Sequence, residues 1–330
     1  MKRKLSLWGA LFGLLAILGV LAACGGGGGG HGGGTVIPVS YTGKTDQAVI
    51  TCDNAVNIVR NAWEMSSKQE IVEVVDEIIG ELFDYYPNVP DRIFSICGDN
   101  SYANVQLLVN EDAGTFSGQI EFVNYCVSWG VPFDINGKVT FSGKAVETST
   151  EFIVNLVLKF YNVEKRESDG PVLYAITEGK ATYVVTIDLN DSTTENVTYN
   201  YVLRDNSVPS KTYWFDDLEI AISSATEGSA SYATFGGRFY DNDYGYVDIE
   251  SESPLYVPDI EIPTGILWFY GKGSEAKLSF MEVSTLLEID VNADGTFDCS
   301  VTDIFPMGTP FGITMEGIEE DGSMSGIKAQ

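Results

Sequence analysis

The residues best placed to do chemistry are the oxygen donors of Asp290-Val291-Asn292-Ala293-Asp294-Gly295-Thr296-Phe297-Asp298. Asp290, Asn292, Asp294 and Asp298 fall at positions 1, 3, 5 and 9 of a calcium-loop pattern, with Gly295 at position 6 and Thr296 contributing a further oxygen. Hard carboxylate and amide oxygens suit a hard cation, and the glycine permits the sharp turn around it. The pattern is incomplete: position 12 is Val301 rather than a bidentate Glu, and the flanking stretches read as strands rather than helices. A plain hairpin turn at Asn292–Gly295 accounts for the same residues, and an ion bound here would be a structural calcium rather than a reactive cofactor.

Other constellations are weaker. Tyr240-Asp241-Asn242-Asp243-Tyr244-Gly245-Tyr246 could hold a sugar by its rings or a cation by its carboxylates, and Trp129, Trp214 and Trp268 raise the same question. Tryptophans in a β-rich chain usually serve packing. The single histidine, His31, sits in a glycine tract, so the chain offers no Ser-His-Asp, Cys-His or histidine-zinc arrangement. Paired carboxylates of the glycosidase kind need no histidine and stay open among 47 acidic residues. The glycine tract runs on into Thr35-Val36-Ile37 rather than directly into Gly-Lys-Ser/Thr and a helix, and is therefore no phosphate cradle.

Cys24 carries a different chemistry. Met1-Lys2-Arg3-Lys4, an apolar run from Leu5 and the small residues before Cys24 form a secretory-type leader, and Leu21-Ala22-Ala23-Cys24 resembles the lipobox of bacterial lipoproteins. That resemblance implies cleavage before Cys24, a diacylglycerol thioether on its sulfur and an acyl group, palmitate being typical, on its new amino terminus. Several acyl chains hold a protein at a bilayer where one does so only marginally. In the same resemblance, Gly25 in place of an aspartate after the cysteine implies transport to the outer membrane. Gly25–Gly34, interrupted by His31, is a flexible tether with an average span of about 5–6 Å times the square root of its length. An ordinary secreted protein with a chance cysteine is the competing explanation.

Charge narrows the partners. Removing residues 1–23 takes away Lys2, Arg3 and Lys4 and no acid, moving the net charge from −28 to −31. Nucleic acids and anionic lipid headgroups, which are bound through Lys and Arg, are poor partners for such a chain. Four cysteines remain beyond Cys24. The alternating runs between Cys97 and Cys126, joined by Glu111-Asp112-Ala113-Gly114, should fold back as a hairpin and bring these two thiols together. Elimination then pairs Cys52 with Cys299, with two free buried thiols as the alternative.

These residues need elements to position them. Asp53 can cap a helix that buries Ala55, Val59, Ala62 and Trp63. Ser67 and Glu70 form a capping box for a second helix with Ile71, Val74, Ile78 and Leu82 on one face, Glu73, Asp76, Glu77 and Glu81 facing away, and a stop before Pro87. From about Ile93 the period changes to two, as in Val105-Leu107-Val109 and Val197-Tyr199-Tyr201, with glycine-containing turns between runs. A weak repeat runs through this part: Phe122-Val123-Asn124-Tyr125 leads to Asn136-Gly137, Phe160-Tyr161-Asn162-Val163 to Glu178-Gly179, and Phe215-Asp216-Asp217-Leu218 to Gly236-Gly237. The organisation expected is a leader at 1–23, the lipidated cysteine and tether at 24–34, a helical segment at 35–92 and an antiparallel β region at 93–330 that forms one domain with the helices. The fold class is α+β, mostly β: an amphipathic helix pair packed on a large curled antiparallel meander, a half-open barrel or sandwich.

Tyr41-Thr42-Gly43-Lys44-Thr45-Asp46-Gln47-Ala48, Asn54-Ala55, Cys97-Gly98, Asn124-Tyr125-Cys126, Asn136-Gly137, Tyr244-Gly245-Tyr246-Val247 and Pro263-Thr264-Gly265 together look like a set of Gram-negative bacterial lipoproteins of unassigned function. The resemblance implies export, supports pairing Cys97 with Cys126, and brings no activity with it. The function expected is a non-catalytic envelope lipoprotein that binds or assembles with a lipid or an envelope protein. The alternative is a surface or periplasmic carbohydrate-active enzyme with paired carboxylates. An open apolar cavity between sheet and helices would favour lipid binding, convergent carboxylates in an open cleft would favour sugar hydrolysis, and a filled concavity would leave an interaction role.

Overall fold

The computed structural model describes residues 36–66, 68, 70–97, 100–128, 132–168, 170–188, 192–207, 209–224, 231–257, 264–281, 284–305 and 328–329. The leader, Cys24, the tether with His31, Ser67 and Trp129 lie outside the described residues. Helices α1 (Ala55–Ser66) and α2 (Glu70–Tyr85) come first. The strands follow as β1 (Arg92–Phe94), β2 (Tyr102–Asn110), β3 (Thr115–Val127), β4 (Phe133–Glu147), β5 (Glu151–Glu167), β6 (Val172–Asp188), β7 (Thr193–Asp205), β8 (Lys211–Ser224) and β9 (Ser231–Asp241). Then come β10 (Gly245–Ser251), β11 (Leu255–Val257), β12 (Gly265–Gly271), β13 (Ser274–Met281), β14 (Ser284–Asp290), β15 (Cys299–Thr302) and β16 (Lys328–Ala329). They form one antiparallel sheet in almost sequential order, with β11 against β9 and β16 outside β1. Among the described residues its ends, β15 and β16, do not pair with each other, and the sheet is not closed into a barrel.

The curl has an identifiable cause. Pairing register slips at Phe122/Tyr125, Asn136/Lys138, Ile176/Glu178, Tyr199/Tyr201 and Asp216/Glu219. At these slips Asn124, Asn162 and Asp217 take left-handed backbone angles (φ 45°, 48° and 50°), and Gly137, Gly179 and Gly237 take φ of 122°, 124° and 129°. The sequence repeat is thus a line of β-bulges crossing neighbouring strands, each of which bends its strand and increases the local twist. Long strands such as β5 and β6, 17 residues each, fold around the helices instead of lying flat.

Both helices fill the concavity. Ile58, Val59, Ile71, Val75, Ile79 and Leu82 are fully buried in one hydrophobic cluster shared with the inner faces of β3–β9 and β12–β14. Two local expectations change. The start of α1 is organised by Asn54, whose carbonyl accepts the Ile58 N–H at 3.0 Å and whose Oδ1 accepts the Thr51 N–H at 2.8 Å, rather than by Asp53. The acids of α2 do not simply face away: Asp76 is buried and Glu73, Glu77 and Glu81 are half-buried. The curled sheet embraces more of the helix than one apolar stripe, so part of the polar side is covered as well.

A strap precedes α1. Ser40 donates from its N–H and hydroxyl to Glu178 Oε1 (2.8 and 2.6 Å), and the Thr42 N–H donates to Thr212 Oγ1 (3.0 Å). Tyr41 packs edge-on against Tyr240, which stacks on Trp214 at 4.3 Å. This small second core lies on the outer face of β7–β9. The chain then bonds to β10, with Tyr246 N–H to Asp46 O (3.0 Å) and Ala48 N–H to Tyr246 O (2.8 Å), and enters the main core at Ala48 and Ile50. Cys52 is bonded to Cys299 (Cα–Cα 6.1 Å), tying the strap to edge strand β15, and Cys97 is bonded to Cys126 (Cα–Cα 5.9 Å).

Candidate functional site

Four places could carry function, and the first is the loop singled out by its acids. The connection between β14 and β15 spans Val291–Asp298, longer than the plain hairpin turn expected at Asn292–Gly295. Asp290 is completely buried; its Oδ1 accepts the Asn292 N–H (3.1 Å) and its Oδ2 the Gly295 N–H (2.7 Å). Asn292 Oδ1 accepts from Asp294 N–H (3.0 Å), Asp294 Oδ1 from Thr296 N–H (2.9 Å), and Asp298 Oδ2 from Val291 N–H (2.9 Å). Ala293 and Gly295, at φ 53° and 85°, supply the left-handed turns that this winding needs. Burial pushes the Asp290 carboxyl up, but the surrounding backbone N–H groups, Gly295 first, outweigh it and hold the group below its usual range. Asn292, Asp294, Thr296 and Asp298 remain exposed. Among the described residues no three or more Asp, Glu, His or Cys side chains converge as a metal centre.

The second place is the helix–sheet interface. Glu195 alternates in phase with Val197, Tyr199 and Tyr201 on β7 and points into the core beside Tyr183, a diagonal neighbour on β6. It is 3% exposed, and its Oε2 has no hydrogen-bond partner among the described residues. Burial pushes its carboxyl up to about 7. Asp76 lies across from it on α2; burial, then the charges of Glu195 and Glu73, raise it well above the ordinary range. Burial, helped by Glu70, Glu81 and Asp84 respectively, brings Glu73, Glu77 and Glu81 up to about 7. Glu70 goes the other way: burial opposes ionisation, yet Lys165 and the Tyr174 hydroxyl, each at 2.6 Å, hold it below its usual value. Sequence reasoning missed this island, although the parity of Glu195 with three inward residues was a usable signal.

The aromatic and acidic segment is the third. Tyr240 and Asp241 are buried, and Asp241 Oδ1 accepts the N–H groups of Asp243 (2.8 Å) and Tyr244 (3.2 Å) while its Oδ2 accepts from Asn61 Nδ2 (2.7 Å). Trp214 is 1% exposed beneath the strap, and Trp268 lies against Tyr270 and Phe297. These residues join strap, helix and sheet and leave no open ring face at Trp214.

The fourth is a groove on the outer face, which sequence reasoning did not find. Cys126, Asp134 and Arg166 are register neighbours across β3, β4 and β5. Asp134 sits between the buried Phe133 and Ile135, so it points outward, and Arg166 follows Lys165, which turns inward to Glu70. The Cys97–Cys126 disulfide lies at one side with Asn100 and Ser101, and Glu167, Ser168 and Gly170 line the other. The space between them is about 610 Å³.

Comparison with protein-family models, with curated proteins and with solved structures gives no match.

Proposed function

We propose that the chain is a membrane-anchored envelope lipoprotein, held at the outer membrane through Cys24, whose curled sheet is a rigid, non-catalytic binding module. The observation that carries this reading is the strap: the chain between the tether and α1 is bonded to the outer face at Ser40 and Thr42 and bridged to β10 at Asp46 and Ala48. A pull on the tether is therefore delivered to the whole sheet rather than to a loose end, as anchoring requires. Val36 and Val39, 87% and 95% exposed, stand at the end nearest the tether, where apolar side chains suit a bilayer surface.

The filled concavity supports an outward-facing interaction role over an internal lipid cavity, because α1 and α2 occupy the space where an acyl chain would lie. In this reading the Asp290 loop is a brace at the β14–β15 edge, with calcium across its exposed oxygens as a structural ion. Fractionation tests the anchor: the full chain partitions with outer membranes, and Cys24→Ser moves it to the soluble fraction. Equal partitioning of the two would overturn it.

A further inference from the structure

We infer that the outer face of β10, β12 and β13 docks an extended segment of a partner protein that carries a basic side chain at every second position. The inference deepens the reading of the sheet as a binding module, and it needs no anchor.

The face is a grid of acids and rings. Ile249, Leu267, Phe269, Ala276 and Leu278 are buried on the inner side, so the residues that alternate with them point outward. Register then sets Glu250 beside Trp268 and Asp248 beside Tyr270 across β10 and β12, and Lys277 beside Trp268 and Glu275 beside Tyr270 across β12 and β13. Trp268 lies near-parallel to Tyr270 (9°, ring centroids 6.2 Å apart) and to Phe297 (25°, 6.4 Å). These separations exceed the about 3.5–4.0 Å of full face contact, so part of each ring face stays uncovered. Trp268 and Tyr270 are half-buried and Phe297 is exposed.

The protein's own bases show what this face accepts. Lys277 bonds Glu288 (3.1 Å) with its ammonium 5.6 Å from the Phe297 ring centroid, and Arg238 bonds Asp248 (2.7 Å) with its guanidinium 4.1 Å from that of Tyr246. Each base is held by one carboxylate and one ring together, by charge and by the ring quadrupole. Glu250 with Trp268 and Glu275 with Tyr270 repeat the combination without a base, since neither carboxylate has an ion-pair partner among the described residues. After burial, the charges of Glu250, Glu275 and Glu252 push the Tyr270 hydroxyl up, which places that ring in a negative field.

Charge and spacing select the occupant. A neutral partner laid over the rings would cover Glu250 and Glu275 with no counter-charge, and a second copy of this chain, at net −28, would bring acids to acids. A guanidinium supplies the charge and stacks on the ring as well. Trp268 and Tyr270 stand two residues apart on one strand, about 7 Å, which is also the spacing of alternate side chains in an extended partner. Bases at every second position therefore meet both acid–ring pairs at once.

The test is fluorescence anisotropy on the full chain in detergent at low salt, with fluorescein-labelled Ser-Arg-Ser-Arg-Ser-Arg-Ser as the probe and the same peptide with Glu for Arg as the sign control. The basic probe should bind saturably with a Kd of about 100 μM or tighter, and the acidic one should not bind. Trp268→Leu, which leaves the charge unchanged, and Glu250→Gln with Glu275→Gln should each weaken binding about threefold or more. Glu147→Gln with Glu151→Gln removes the same charge from exposed positions on β4 and β5, far along the sheet, and should leave binding near that of the parent. Two surface acids can be neutralised without unfolding the chain, so that comparison decides the matter even where Trp268→Leu lowers the melting temperature. No saturable binding, binding of the acidic peptide, equal loss from the two acid pairs, or a Trp268→Leu chain that keeps its melting temperature and binds as the parent does would overturn the inference. So would a dimer that Trp268→Leu dissociates, which would give the face to a second copy. Anisotropy and fractionation fail separately: a chain that partitions as Cys24→Ser does but binds the basic probe removes the anchor alone, and a membrane-bound chain that ignores the probe removes this partner alone.

Discussion

The carbonyl oxygen of Asn162 lies where a side chain on Gly137 would have to go. Asn162 is left-handed at φ 48°, and Gly137 at φ 122° is in a region that L side chains rarely adopt. The same opposition recurs between Gly237 and the Asp217 carbonyl, and Gly179 meets the carbonyl of Asn200. Gly137→Ala therefore faces both backbone strain and a backbone clash, and should lower unfolding free energy by roughly 2–4 kcal/mol, as should Gly237→Ala. Gly273→Ala, where nothing lies within 4 Å of the new methyl, has only the strain of its φ of 61° and should lose less. Urea unfolding of the three variants checks the order.

The buried carboxyls set the direction of pH dependence. Glu195, at about 7 folded against about 4.5 unfolded, binds its proton more tightly in the native state, so its contribution falls as pH rises from about 4.5 through about 7. A shift of that size corresponds to roughly 3 kcal/mol lost above neutrality. Asp76 acts in the same sense. Glu70, Glu164 and Asp205, all held below their usual values, act in the opposite sense: their stabilisation is present above the unfolded pKa and is lost as pH falls through the folded one. Stability should therefore peak in mild acid. Glu195→Gln should be more stable than the parent at pH about 8 and should flatten the decline; a parent more stable at pH about 8 than at about 5 would contradict this.

The Cys52–Cys299 bond closes a loop with a sequence separation of 247, and Cys97–Cys126 one of 29. In the chain-entropy account the longer loop stabilises more, about 5 kcal/mol against about 3–4. Cys52→Ser with Cys299→Ser should therefore lower the midpoint of chemical unfolding more than the Cys97→Ser, Cys126→Ser pair, measured without reductant.

Calcium should raise the melting temperature of the parent by several degrees at millimolar concentration, through preferential binding to the folded loop. Asp294→Ala removes an exposed oxygen without touching the buried Asp290 bonds, and should abolish the rise. No shift in the parent would remove the ion from the account.

How much of this was legible in the chain depends on the length scale of the signal. The helix pair and the meander follow from periodicity, since Ile71, Val74, Ile78 and Leu82 and the alternation of Val197, Tyr199 and Tyr201 are local patterns. Even the bulges were visible as a repeat, because a left-handed Asn or Asp and an opposing glycine leave a residue-type signature; their meaning needed the pairing register. Asp76 was misplaced because a helix read alone has an outside, whereas a curled sheet covers more than one face. The groove was invisible for a related reason: Cys126, Asp134 and Arg166 become neighbours only once three strands are in register. The strap was hidden likewise, as Asp46 and Tyr246 meet across 200 residues.

The central claim is tested most directly by the intact mass of the protein recovered from membranes. The account predicts a chain starting at Cys24 and carrying a diacylglycerol thioether with a further acyl group on its amino terminus. A chain with the leader still attached, or with an unmodified Cys24, would contradict it.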